Sequence, residues 1–212
     1  MPIARRPFLS AFEWDAKSSQ YRSKVSGRFV SRDVIRGSLE RALNRAKREI
    51  DLTGANLQNG LISVDQWREQ MATHVKSTHL YSAAIPRGGW AQLTSADFGR
   101  VGRLVRFQYE RLNKFALELA AGKKTDGSFR MRARMYAGAS MQMYHESERV
   151  EMKDVQGMTH ERNVRTRGDS CDGCVHESSR GWVPIGKLRP IGTRTCLTNC
   201  RCHIRYRSGD SR

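Results

Sequence analysis

The first 170 residues of this 212-residue chain contain no cysteine. Nor does the chain hold a run approaching the ~18 consecutive apolar residues of a membrane-spanning helix. Its opening stretch, MPIARRPFLSAFEWD, has charges and a proline where a secretory leader would have its apolar stretch. The expectation is a soluble protein made in a cytoplasm, with no membrane partner. Carboxylates are also scarce: 21 Asp and Glu face 38 Lys and Arg, for a net charge of +17. Catalytic frames are missing too. There is no glycine-rich phosphate loop, no H-E-x-x-H, no G-x-S-x-G and no pair of carboxylates in a recognisable setting. A cysteine nucleophile would be a single Cys with a distant His, and here every cysteine belongs to one cluster. The chain reads as a non-enzyme.

That cluster fills the last sixth of the chain, from Val164 to Arg207, and contains all 5 cysteines. The spacing is Cys171-x2-Cys174, then Cys196-x3-Cys200-x-Cys202. A C-x2-C knuckle presents two thiolates to one zinc ion, and Gly173 is expected to ease a tight backbone there. Cys200 and Cys202, two apart in an extended segment, share a face. Cys171, Cys174, Cys200 and Cys202 therefore make the expected ligand set of a closed structural zinc site, with Cys196 as the alternate. His203 or His176 could instead complete a Cys3His set, and two disulfides or free thiols remain the non-metal alternatives. A catalytic zinc would need a base, for which Glu177 is the neighbouring candidate. The expectation is that Glu177 is a solvated loop charge.

The positive charge is spread evenly: residues 1–51 carry +6, residues 52–150 carry +6 and residues 151–212 carry +5. Such basicity attracts polyanions, nucleic acid first, and its evenness suits a neighbour of DNA better than a reader of sequence. Residues 1–30 read as an irregular docking arm, its aromatics (Phe8, Phe12, Trp14, Tyr21, Phe29) interleaved with basic residues and awaiting a partner.

Four helices are expected over residues 31–150. The first, from about Arg32 to Leu52, has an apolar stripe and a basic face with Arg36, Arg41, Arg45 and Arg48. The second begins at the capping box Ser63-x-x-Gln66 and runs to about Ala84, with His74 and His79 as ordinary helix residues. The third is capped at Thr94-x-x-Asp97 and ends at Gly122. Its outer face carries Arg100, Arg103 and Arg106, and Gly99 and Gly102 are expected to admit another backbone. The fourth, from near Ser128 to Val150, is rich in methionine, which packs adaptably. The seven arginines just named are the candidate phosphate contacts.

Residues 154–207 read as a compact cysteine-rich module with short strands near His160–Arg167, Gly181–Pro184 and Cys202–Arg207, followed by a tail, 208–212. The fold class is α+β, mainly α. A module this small has little core of its own, and a structural zinc would add folding free energy on the order of 10 kcal/mol.

The order R-x-x-x-D-x-C-x2-C, a spacer with Gly and Pro, then N-C-R-C and an alternating strand resembles the phage Mu F-like family of minor head proteins. The matching residues are Arg165, Asp169, Cys171, Cys174, then Asn199-Cys200-Arg201-Cys202 and the strand to Tyr206. Where the family has a His-Pro before C-R-C, this chain has Cys196-Leu197-Thr198, which leaves the fourth ligand open. The resemblance covers roughly residues 130–207, and the segment from Gly88 to Tyr109 is more weakly similar to helical parts of phage head-gene products. It implies a structural virion protein in several copies per particle, made in the bacterial host and seated at or near the portal inside the head. Its partners would be the portal and/or major capsid protein, with packaged DNA touched through phosphates, and its role head assembly, DNA packaging or ejection. Two other classes fit the residues: a zinc-dependent nucleic-acid-binding module or regulator, and a metal-dependent nuclease or toxin-like effector acting through His176 and Glu177.

Overall fold

The computed structural model describes residues 10–166 and 170–209. Phe8 and the first basic residues of the arm, Asp169 of the cysteine motif and residues 210–212 of the tail lie outside that range. The fold is mainly α with two small sheets.

The expected irregular arm is instead, over its described part, a β-hairpin: β1 (Phe12–Asp15) pairs antiparallel with β2 (Gln20–Ser23). Asp15 shapes the turn by accepting from the N–H groups of Lys17 and Ser18 at 3.1 Å and from the Arg22 guanidinium at 2.9 Å. Trp14 and Tyr21 are cross-strand partners with ring centroids 4.9 Å apart, and the Tyr21 hydroxyl donates to the Ile85 carbonyl at 2.8 Å. Trp14 lies flat on the backbone of Gly88, where a Cβ would come within 2.3 Å of the indole. Phe12, Trp14 and Tyr21 thus anchor on the chain's own body, together with Ile35, Leu39, Leu43, Ile85 and Tyr144, while Phe29 stays exposed beneath the Arg22 guanidinium. Interleaving alone could not reveal this, because a groove in the same chain and a groove in a partner ask for the same residues.

Helices α1 (Arg32–Gln58), α2 (Val64–Ala84), α3 (Ser95–Ala120) and α4 (Gly127–Val150) form the body. The caps follow the sequence: Ser63 with Gln66 and Thr94 with Asp97 are reciprocal capping boxes, and Asp126 caps α4. Helix α1 runs through Gly54 instead of ending near Leu52. A Cβ at Gly54 would sit 3.3 Å from the Phe129 ring, so this glycine makes room for α4. Helix α2 packs against each of the other three. Its Trp67 is fully buried, with Phe115 of α3 and Phe129 of α4 at centroid distances of 5.3 and 5.5 Å. The core face of α3 is Val101, Val105, Leu112, Phe115 and Leu119, while Phe98, Phe107 and Leu117 are exposed. A Cβ at Gly99 or Gly102 would meet nothing within 4 Å, so the expected backbone contact does not form there. The close approach is at Gly138 of α4, whose Cβ would meet the Thr198 carbonyl at 3.3 Å.

After α4 a π-turn (Glu151–Val155) leads into β3 (His160–Val164). A short helix α5 (Asp172–Ser179), β4 (Val183–Pro184) and β5 (His203–Arg207) complete the chain's described elements. The sheet is antiparallel in the order β4-β3-β5. It docks on α4 through Arg149, which donates to Glu161 at 2.8 Å and to the Leu188 carbonyl at 3.3 Å.

Candidate metal centre

The Cys171–Cys174 knuckle is the first turn of α5. Cys171 is its N-cap residue, and its carbonyl accepts from the N–H groups of Cys174 and Val175 at 2.8 and 3.0 Å. Gly173 is an ordinary helical residue with a negative φ, and a Cβ there would make only normal contacts. It does not relieve a strained turn, because the knuckle is helical. The second group flanks a 3-10 turn (Leu197–Asn199), with Cys196 before it, Cys200 after it and Cys202 just ahead of β5.

The five sulfurs meet around Cys174. Cys171, Cys174 and Cys196 lie within 4.8 Å of one another, as do Cys174, Cys200 and Cys202. The Cys174 Sγ is 3.6 Å from both Cys196 and Cys200, so Cys196 stands as close to it as Cys200 does. Tetrahedral zinc with Zn–S of ~2.3 Å sets its sulfurs ~3.8 Å apart, whereas a disulfide needs ~2.05 Å. The cysteines are close enough to hold a metal ion, and a space of about 220 Å³ opens beside them.

Their electrostatics suit a cation. In the close pair just before β5, the Cys200 sulfur pushes the Cys202 thiol down to about 5 while burial opposes it. Cys200 is pushed up by Cys202, then by burial. Burial raises Cys174 to about 12. Cys171 is also raised by burial, but the Cys174 N–H and the neighbouring sulfurs outweigh this and bring it to about 7. The group therefore shares protons, and a divalent ion would take their place.

Beneath the sulfurs lies Arg194, fully buried. Its guanidinium donates to the Asn163 side-chain oxygen at 2.7 Å and to the Arg189 carbonyl at 2.7 and 3.0 Å, and sits 3.8 Å from the Cys174 sulfur. None of these partners is a carboxylate. A buried cation without a counter-charge is costly, and the negative groups it feels are the Cys202 sulfur and the buried Glu177 carboxylate, neither in direct contact with it. Asn163 also donates to the Cys174 carbonyl at 3.2 Å, tying β3 to the knuckle. Sequence reading passes over Arg194, Asn163 and Glu161. The available signal was polar residues at alternate positions of a strand otherwise expected to bury that face.

The other candidates are placed elsewhere. His176 is exposed on α5. His203 alternates away from Cys202 and Ile204 on β5, and its imidazolium is disfavoured by burial and then by Arg36. Neither joins the sulfurs. Glu177 is buried, not solvated: it accepts from Arg180 at 3.0 Å and from the Arg189 N–H at 3.2 Å. Burial raises its carboxyl, but these donors together hold it below the usual range.

No protein-family model, curated protein or solved structure matches this chain.

The seven helix arginines do not form one surface. Arg36 is paired with Asp33 at 3.1 Å, Arg100 with Asp97, and Arg103 with Glu146 at 3.3 Å. Arg41, Arg45 and Arg48 form an exposed stripe on α1, and Arg106 is exposed on α3. Helices α1 and α3 pack on α2 and α4, with little contact between themselves.

Proposed function

We propose that the chain is a structural minor head protein of a bacteriophage, clamped at its C-terminus by one zinc ion. It would act at the portal or inner capsid in head assembly, DNA packaging or ejection, with packaged DNA as a non-specific neighbour. The observation that carries the reading is the convergence of the knuckle and the Asn199-Cys200-Arg201-Cys202 segment on Cys174, over the buried Arg194. Those are the residues on which the resemblance to the Mu F-like family rests. The surplus of sulfur fits a structural ion, with Cys174 and three of its neighbours as ligands. The nuclease alternative asks Glu177 to serve as a base and His176 as a ligand. Glu177 is engaged by Arg180 and the Arg189 N–H, and His176 points to solvent.

Two measurements test the reading separately. Elemental mass spectrometry of the natively purified chain should find one zinc, with the thiols unmasked on chelation; a metal-free chain with disulfide-bonded cysteines would sink the zinc clamp. Mass spectrometry of purified particles should find the chain in DNA-filled heads at a few copies each. A chain that never sediments with heads would sink the virion assignment.

A further inference from the structure

The outward face of the C-terminal sheet carries an unusual pairing. Arg162 of β3 stands directly opposite Arg205 of β5, and both are exposed. Like charges facing each other across an antiparallel pair are destabilising, and no described carboxylate forms an ion pair with either. The next pair along this face is His160 with Arg207, and the Arg207 guanidinium lies 4.7 Å from the centre of the Trp182 ring.

Strand β4 pairs only with His160 and Glu161. Beyond that point β3 runs on beside an open groove of about 540 Å³, bounded by Arg162, Arg165, Arg205, Trp182 and Ser178. Three arginines and an indole thus line one concavity, with Asn163, Val164 and Thr166 between them along the edge of β3 that β4 leaves unpaired.

We infer that this groove binds the phosphodiester backbone of a nucleic acid. Arg presents a planar fork that matches phosphate oxygens, and a chain of phosphates would offset the Arg162–Arg205 repulsion. Trp182 in the wall adds a surface on which an unpaired base can stack. An acidic protein segment is the lesser candidate, since carboxylates would not use the indole. The inference deepens the proposed function, resting on it only for the presence of DNA, and moves the contact from the helix arginines to the sheet.

The test is fluorescence anisotropy of the full, metal-loaded chain with a labelled 20-mer of oligo(dT) and with a 20-base-pair duplex, across a salt series. Arg162→Gln/Arg205→Gln should weaken binding roughly tenfold or more, and flatten the log–log salt slope by about 1.4 for the single strand or about 1.8 for the duplex. Its melting temperature should hold or rise, because the repulsion is gone. Trp182→Leu assigns the source: a loss confined to oligo(dT) marks a single strand in the groove, and no loss with duplex preferred marks a double helix. The inference is overturned if Arg162→Gln/Arg205→Gln binds like the parent while Arg41→Gln/Arg45→Gln/Arg48→Gln on α1 loses affinity. It is equally overturned if poly-glutamate of matched charge displaces the oligonucleotides as well as they displace one another, or if neither oligonucleotide binds. None of these results bears on whether the chain is found in heads.

Discussion

The helical body and the C-terminal module solve the same problem with opposite materials. The body buries seventeen apolar residues in one cluster, among them Trp67, Met71, Phe115, Phe129 and Met143. The module's cluster holds Leu188, Ile191 and Ile204, and its other buried members are Cys174 and Cys202. Around these the module buries Glu161, Asn163, Glu177 and Arg194, each of them hydrogen-bonded. Apolar burial is non-directional and scales with area, so the body tolerates exchange of shape for shape. A polar interior stabilises only while every member is satisfied. The module therefore depends on its sulfurs, and on whatever replaces their protons, far more than the body depends on any single side chain.

The largest expected effect is at Cys174, which belongs to both groups of sulfurs. Cys174→Ser should abolish metal binding and remove folding free energy on the order of 10 kcal/mol from the module. The body should survive. Far-UV circular dichroism should keep most of its helical signal, while limited proteolysis opens the chain beyond residue 155. Cys196→Ser alone should do much less, since other sulfurs remain around Cys174. Equal loss of metal from the two variants would erase the special place given to Cys174.

The converse break is in the body. Trp67→Ala removes the fully buried indole held by Phe115 and Phe129 and should cost about 4 kcal/mol. Thiol titration under native conditions should be unchanged. If the cysteines become reactive in the same transition that melts the body, the two regions are one cooperative unit and the contrast between them is only chemical.

The capping boxes of α2 and α3 were legible because they are local: Ser63 with Gln66 and Thr94 with Asp97 satisfy one another within a single turn. The clustering of cysteines was legible for the same reason, being a pattern of spacing. What could not be read was which distant segment meets which. Gly54 and Gly138 admit neighbours while Gly99 and Gly102 do not, and nothing within four residues of any of them says so. The hairpin was missed because its docking partner, the Ile85 to Gly88 loop, lies more than sixty positions away. Arg194 was missed because a buried cation looks like any other arginine until its thiolate neighbours are placed around it.

The smallest effect sharpens the comparison, because it tests a buried titrating group that breaks the body's apolar rule. His79 on α2 is almost fully buried, and its Nδ1 meets the Val75 carbonyl at 2.9 Å. Since a carbonyl only accepts, the Nδ1 carries the proton of a neutral ring. Burial pushes this imidazole down to about 4, against ~6.5 in an unfolded chain. The unfolded state therefore binds the extra proton first as pH falls. The stability contributed by a neutral His79 is complete above pH ~6.5 and is lost progressively toward pH ~4, amounting to about 2 kcal/mol at pH 5. His74 is shifted the same way, by burial and against the pull of Glu49, so the parent protein alone would not isolate the effect. The difference between the parent and His79→Gln does, because the glutamine amide can still donate to Val75 and does not titrate. Urea unfolding of the helical signal at pH 7 and pH 5 should show the parent losing about 2 kcal/mol more than the variant. An equal loss in both would mean that the ring is protonated in place, and that the body accommodates a buried charge as the module does.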